Sequence, residues 1–487
     1  MNQKKNWLTF TLVGIAQFMV VLDSAITNVA LPTIKQQLHF TSSSLQWVVT
    51  AYALTFGGFL LLGGRAADLF GRRRTLLAGM LAFTTFSFLI GVSHSSTELI
   101  VLRALQGMAA ALMSPSALSI VLTTFREGPN RNRALGYWTL IATGGAAIGL
   151  LLGGVLTQYV GWRWNFFINV PVGIVMAVTI ARFVPRHERE EAYTSLDLPG
   201  AVLVTGSLIA TVFGFSEASS WGWTSAGVFG VLGSAVVLMG AFILNESRAK
   251  HPLVPLSIFK IRNVSGANMI MAPMYATMLG LFFVITLYVQ LILGYSPVQA
   301  GLAFLPMPIV LGIMSTRIPG LVARYGFRRF LITGPLLVAA GLVWLSRLPV
   351  DGSYVRDLLP ALLVIPVGIG MTFMPLIAAA TAGVPRNEAG LASGLITTSQ
   401  QMGGALGLAI ISGVAASITA SSGYLGKAGA LVHGFDRAML VGLIFMLFAV
   451  LLAVAVIRPV RSVETPLPAA EPKRDKPRRV ILVRDIS

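Results

Sequence analysis

Apolar stretches of about 20 residues, the length a helix needs to cross a bilayer, recur along this chain from Leu8 to Ile457 with only short polar breaks. In hydrocarbon every backbone N–H and C=O must be paired internally, and a helix does this within a single segment. Composition points the same way: of 487 residues 55% are hydrophobic and 11% charged, whereas soluble domains carry about a quarter charged residues. The chain therefore reads as an all-α polytopic membrane protein. Breaking it at charged or Gly/Pro-rich joints predicts fourteen helices, over 8–31, 46–65, 75–93, 98–122, 133–157, 164–184, 198–217, 225–244, 265–293, 298–318, 328–346, 358–382, 390–417 and 437–457. The basic start Asn2-Gln3-Lys4-Lys5 mimics a secretory leader. The apolar stretch behind it runs past Ala30 and contains Asp23, so it reads as the first span.

A net charge of +18 could point to nucleic acid, but Lys and Arg are retained on the cytoplasmic side of membrane proteins. Their distribution decides the matter. With a cytoplasmic N-terminus, 29 of the 36 Lys and Arg fall on the inside, six outside, and Arg103 within a helix. Both termini are therefore expected in the cytoplasm, with an even number of spans across the inner (plasma) membrane and no nucleic-acid partner. The tail 458–487, rich in Pro, Lys and Arg, cannot build a core and is expected to stay disordered near anionic lipid headgroups. There is no cysteine, and the five histidines (His39, His94, His187, His251, His433) lie far apart. No metal site and no cofactor are expected.

Asp23 is the one carboxylate well inside a span, about eight residues or roughly 12 Å of helix rise from the outer end. Arg103 lies inside the fourth helix, about five residues or roughly 8 Å from its outer end. Each alone in hydrocarbon costs at least about 2.5 kcal/mol, so the two are expected to face one another or a wet cavity. Gln17, Ser24 and Asn28 share one face of the first helix with Asp23 and Thr27 beside it, a polar stripe suited to a proton site. A static ion pair fixing helix 1 to helix 4 is the other reading. Glu217 and Asp436 are expected at interfaces. Met271, Tyr275, Met278 and Phe282 recur at 4, 3 and 4, a soft stripe that suits varied lipophilic molecules or an ordinary packing face. Gln106, Gln400 and Gln401 are further cavity candidates, since amides avoid lipid. Prolines inside spans, including Pro273, Pro306, Pro308, Pro366 and Pro375, permit bends.

The loop after the second helix reads Gly64-Arg65-Ala66-Ala67-Asp68-Leu69-Phe70-Gly71-Arg72-Arg73-Arg74, and Gly320-Leu321-Val322-Ala323-Arg324-Tyr325-Gly326-Phe327-Arg328-Arg329 echoes it after the tenth. Two six-helix halves related along the membrane normal produce such repetition, with two extra helices between. These stretches resemble the major facilitator superfamily, in particular its fourteen-span drug:proton antiporters. So do Leu22 to Pro32, Arg103-Ala104-Leu105-Gln106-Gly107, Gly161 to Pro171 and Ser393 to Gly404. The resemblance implies a major facilitator fold with an N-terminal six-helix half over 1–184, an inserted helix pair with linkers over 185–264 and a C-terminal half over 265–457. It also implies a cytoplasmic gate of Gly64, Asp68, Gly71, Arg72 and Arg73. The antiporter-motif helix keeps Gly145, Gly149 and Gly153 at four-residue spacing, which permits close packing, but has Gly149-Leu150 where the family usually has Gly-Pro.

The function expected is export of small lipophilic compounds coupled to protons by alternating access, in membrane lipid and as a monomer. Asp23 would carry the proton and Arg103 would tune it. A facilitator or symporter of a defined metabolite, or a lipid-moving transporter, is the alternative on the same scaffold. An ATP-driven pump is excluded because the one Gly-Lys pair, Gly426-Lys427, is followed by Ala428 and makes no phosphate loop. No convergent nucleophile, base or metal set suggests an enzyme, and the two-half repeat does not suggest the rings or filters of a channel.

Overall fold

In a computed structural model the described residues are 3–41, 44–125, 129–185, 197–222, 224–249, 252–381, 384 and 389–457. The basic tail expected over 458–487 lies outside them. The first-half helices are α1 (Gln3–Gln37), α2 (Trp47–Phe70), α3 (Arg72–Gly91), α4 (Ser96–Thr124), α5 (Pro129–Tyr159), α6 (Trp164–Phe167) and α7 (Asn169–Phe183). Then come α8 (Leu198–Trp221) and α9 (Ala226–Arg248). The second half holds α10 (Arg262–Leu291), α11 (Pro297–Ala303), α12 (Pro306–Tyr325), α13 (Phe327–Leu345), α14 (Leu359–Thr381), α15 (Ala389–Ser421) and α16 (Gly426–Ala455). Joining α6 to α7 and α11 to α12 gives fourteen helical segments long and apolar enough to cross a membrane. The break between α11 and α12 falls just before Pro306, which cannot donate to a continuing helix. Pro273, Pro366 and Pro375 lie inside unbroken helices.

The repeat seen in the sequence extends to side-chain detail. Gly71 (φ 93°) separates α2 from α3, and Gly326 (φ 76°) separates α12 from α13; L side chains rarely adopt these backbone conformations. Two residues beyond each glycine an arginine caps the last helix of its own half. Arg73 donates to the Ala181 carbonyl of α7, and Arg328 donates to the Val454 carbonyl of α16 at 2.9 Å. A cation there satisfies carbonyls left open at a helix C-terminus. The last helix is longer than predicted: α16 starts at Gly426 rather than 437. In the sequence Lys427 reads as a loop residue, His433 as lying at a segment end and Asp436 as standing at the start of the last helix. Close packing of Gly434 on Ala415 and a hydrogen bond between Ser422 and His433 carry the α15–α16 hairpin past the apolar stretch.

Calling the end of the bundle where α1 begins the near end and the opposite end the far end, the two halves join differently at each. One apolar cluster runs from Val29, Leu31 and Ile34 of α1 and Leu150 of α5 into Ala300 of α11 and Leu281 to Val289 of α10, fusing the halves at the far end. Around Val13, Met80, Phe83 and Ala110 a second core is built from the first half alone. Helix α8 covers the seam between α2 and α15: Gln46 donates to Ser216 at 2.6 Å and accepts from Ser412. The outer face of α9, with Phe229, Val236 and Val237, is exposed on the bundle surface, as a lipid-facing helix requires.

Candidate functional site

Asp23 and Arg103 meet. Asp23 is 0% and Arg103 1% exposed, and Arg103 Nη1 donates to Asp23 Oδ2 at 2.6 Å. Arg103 Nε donates to the Val48 carbonyl of α2 at 2.9 Å. Gln106 lies one turn along α4, on the face of Arg103. It accepts from Arg103 Nη1 at 2.6 Å and donates through Nε2 to Asp23 Oδ1 at 2.9 Å and Ser87 Oγ at 2.8 Å. Asn169 Nδ2 of α7 donates to Asp23 Oδ1 at 2.9 Å. The carboxylate is thus held by three donors from two helices, and the guanidinium lies over the Tyr52 ring with Cζ 4.3 Å from its centroid. Paired, hydrogen-bonded and stacked, these charges are tolerable where a lone charge is not. Two atoms of the shell are buried without a partner, Asn169 Oδ1 and the Tyr52 hydroxyl.

Sequence reasoning named Asp23, Arg103 and Gln106 but gave no role to Asn169, Ser87, Tyr52 or the Val48 carbonyl. Asn169 carried one usable signal, an amide inside a predicted span. Ser87 and Tyr52 carried none, because hydroxyls are common in membrane helices.

Gly145, Gly149 and Gly153 fasten α5 to the stretch of α1 that carries Asp23. A Cβ at Gly149 would stand 2.7 Å from Ala25 Cβ, and one at Gly153 would stand 2.8 Å from the Ile26 carbonyl oxygen. Helix α5 runs unbroken through Leu150, whose carbonyl faces Gly301 of α11.

The expected cavity residues divide. Gln106, Asn28, Met271 and Gln401 are buried. Both amide hydrogens of Gln106 are committed to Asp23 and Ser87, and Asn28 donates to the Ser24 carbonyl of its own helix at 2.9 Å. Met271 sits in the large apolar core, and Gln401 packs on Gly57 at the α2–α15 seam. Gln17, Tyr275, Met278, Phe282 and Gln400 remain partly exposed. Ser114 donates to Gln17 at 2.9 Å, Tyr275 and Gln400 are hydrogen-bond partners, and Phe282 packs on Phe304.

Of the expected gate, Asp68 and Arg72 form an ion pair at 3.7 Å one turn apart, Gly71 makes the bend, and Gly64 lies over Pro115. Arg73 turns to α7 as described. Glu217 is partly buried near the end of α8, and Asp436 lies inside α16 rather than at its start, accepting from the Leu348 N–H at 3.2 Å. Among the described residues no group of three or more His, Cys, Asp or Glu could hold a metal ion.

Known proteins agree with this architecture. The chain is 40% identical over 460 residues to the puromycin resistance protein of Streptomyces alboniger, covering 92% of this chain and 91% of that protein. It is 39% identical over 449 residues to the cephamycin export protein of Amycolatopsis lactamdurans, covering 91% and 90%. Among solved structures, the POT family transporter PepTSo superposes with a TM-score of 0.67 at 15% identity, over 93% of this chain and 99% of that one. The Major Facilitator Superfamily model matches residues 13–408, so this multi-pass membrane chain is a transporter that belongs to the major facilitator superfamily.

Proposed function

We propose that the protein exports small lipophilic compounds, antibiotics among them, in exchange for protons, with Asp23 as the proton carrier and Arg103 as its partner. The observation that carries this reading is the buried Asp23 carboxylate, held by Arg103, Gln106 and Asn169. Intramembrane ionisable groups are functional sites by default, and the printed functions of the two relatives, puromycin resistance and cephamycin export, favour drug cargo. A proton arriving on Asp23 cancels its charge and the ion pair. The new O–H needs an acceptor, which Asn169 Oδ1, now without a partner, supplies if its amide turns over. Arg103 keeps Gln106 Oε1 and the Val48 carbonyl. Because α1 is fastened to α5 through the glycine ladder, a shift of α1 carries α5, and with it the seam to α11.

In this reading the near end is cytoplasmic, the far end is closed and the transporter faces inward. The cargo surface is built from Gln17, Tyr275, Met278, Phe282 and Gln400, which keep partial exposure. Residues 1–184 and 265–457 are the moving halves, and 185–264 is the inserted pair. The Asp68–Arg72 ion pair at the α2–α3 bend belongs to the cytoplasmic gate.

The test is transport in proteoliposomes under an imposed pH gradient, with puromycin as the first cargo. Asp23→Asn should abolish gradient-driven uphill transport while leaving cargo binding intact. Full uphill transport by that variant would reduce the pair to a static clamp between helices.

A further inference from the structure

The inserted pair carries a second buried acidic site. Asp197 caps the start of α8, its Oδ1 accepting from the Gly200 N–H at 2.9 Å and from Asn245 Nδ2 at 3.0 Å, and its Oδ2 accepting from the Leu253 N–H at 3.4 Å. Glu246 of α9 is 3% exposed, and its Oε2 accepts from the Val254 N–H at 2.8 Å. The two carboxyls converge on Gly200: Asp197 Oδ2 and Glu246 Oε1 each lie 2.6 Å from where a Cβ there would stand. They are within hydrogen-bonding reach of one another, yet Glu246 Oε1 is buried with no donor. Two acceptors facing each other out of water require a proton between them, since like charges at such a distance cannot both persist.

The backbone bonds to Leu253 and Val254 fix the linker between α9 and α10. The side chains of these two residues enter an apolar cluster with Leu62 of α2, Ala201 of α8 and Ala392 of α15 at the near end. Besides Asp197, the charge acting on Glu246 among the described residues is Arg65 of α2, three residues before Asp68.

We propose that Asp197 and Glu246 form a proton-binding site, separate from the Asp23 cluster, whose proton docks the α9–α10 linker and the inserted pair onto the near end of α2. The proton sits on Glu246 Oε1 and is donated to Asp197 Oδ2. Its loss leaves two facing carboxylates that repel and drive Glu246, with the Val254 backbone it holds, away from Asp197. The division of roles follows from the surroundings of Asp197. Burial pushes its carboxyl upward, but hydrogen bonds from Gly200, Glu246, Asn245 and Leu253 outweigh that effect and keep it below the usual carboxylate range. Asp197 is therefore the ionised acceptor.

Amide hydrogen exchange of the full-length protein in lipid nanodiscs tests this, read at Leu253 and Val254 and corrected for the intrinsic pH dependence of exchange. Wild type should lose protection by at least about tenfold as pH rises through the titration of the pair, the size of one pK unit of interaction. Glu246→Gln, whose amide can donate to Asp197 and accept from Val254, should stay protected at every pH. Asp197→Asn, a neutral acceptor that also ends the repulsion, should behave the same way. Asp23→Asn should keep the wild-type profile. Protection in wild type that does not change with pH overturns the proposal, whether or not the variants fold. An unchanged wild-type profile in Glu246→Gln, or its loss in Asp23→Asn, overturns it as well.

Discussion

Gly301→Ala should open the far end of the transporter. A Cβ at that position would stand 2.4 Å from the Leu150 carbonyl oxygen, 3.2 Å from its carbon and 3.5 Å from Leu151 Cα. All three are backbone atoms of α5, so no rotamer change relieves the clash, and normal contact near 3.5 Å requires α11 to retreat by about 1 Å. Overpacking of this kind costs about 1–3 kcal/mol. The contact joins the two halves, so under the proposed alternating access the cost falls on the far-end-closed arrangement. The gain in helix propensity, up to about 1 kcal/mol for Gly→Ala, is common to both arrangements and cancels. The closed-to-open ratio should therefore fall by about 5- to 150-fold. Gly154→Ala meets the Pro297 carbonyl at 2.6 Å and Val298 Cα at 2.9 Å and should act in the same direction. The chain has no cysteine, so spin labels can be placed cleanly on Tyr159→Cys of α5 and Val355→Cys at the start of the α14 span, both exposed. Pulsed electron resonance should reveal a longer-distance population in both glycine variants. Gly312→Ala, with nothing within 4 Å of its Cβ, should not produce it. An unchanged distance distribution in Gly301→Ala and Gly154→Ala would refute the assignment of this seam as the moving contact.

Two further outcomes follow from the same geometry. Gly153→Ala, whose Cβ would meet the Ile26 carbonyl and Cγ1 at 2.8 Å, should lower resistance to thermal unfolding by about 1–3 kcal/mol before any propensity gain. Gly144→Ala, with open space at its Cβ, should be neutral or slightly stabilising; equal stability of the two variants in a thermal-unfolding assay would refute the close α1–α5 contact. Arg103→Met should destabilise by about 3–5 kcal/mol because it leaves a buried carboxylate without its cation. Combining Arg103→Met with Asp23→Asn should recover much of that loss; additive costs in the cycle formed by these two single variants and their double would argue against direct pairing.

What could be read from the sequence tracks the cost of misplacing each group. Asp23 and Arg103 were legible because a charge in hydrocarbon has few tolerable surroundings, and the structure gives them one. Gly71 and Gly326 were legible as a repeat, although their shared role with the arginines two positions later needed coordinates, since Ala181 and Val454 lie far along the chain. Asn169 offered only the amide within a predicted span as a signal, and Ser87 was hidden because a hydroxyl near a span end fits many environments. Met271 was legible only as one of two readings, a cargo stripe or a packing face: helical periodicity puts it in line with Tyr275 and Phe282, but the stripe does not reveal that the core closes over the end that Met271 occupies. The acids of the inserted pair were invisible as a site because Asp197 stands at a helix start and Glu246 near a helix end, where charges are ordinary.

The departure at Leu150 makes sense once the two faces of α5 are separated. The face built from Gly145, Gly149 and Gly153 belongs to α1, and the face built from Leu150, Gly154 and Gln158 belongs to α11. A proline at 150 would remove one backbone N–H and bend the helix between these faces. A leucine leaves the helix unbroken and puts a large apolar side chain, 3% exposed, into the core that spans both halves. Under the proposed mechanism, a displacement of α1 is passed to α11 through a continuous α5 with no proline hinge at 150. Under the proposed proton coupling, the glycine ladder, which lets α1 and α5 touch backbone to backbone, is the contact by which a change of charge at Asp23 reaches the seam.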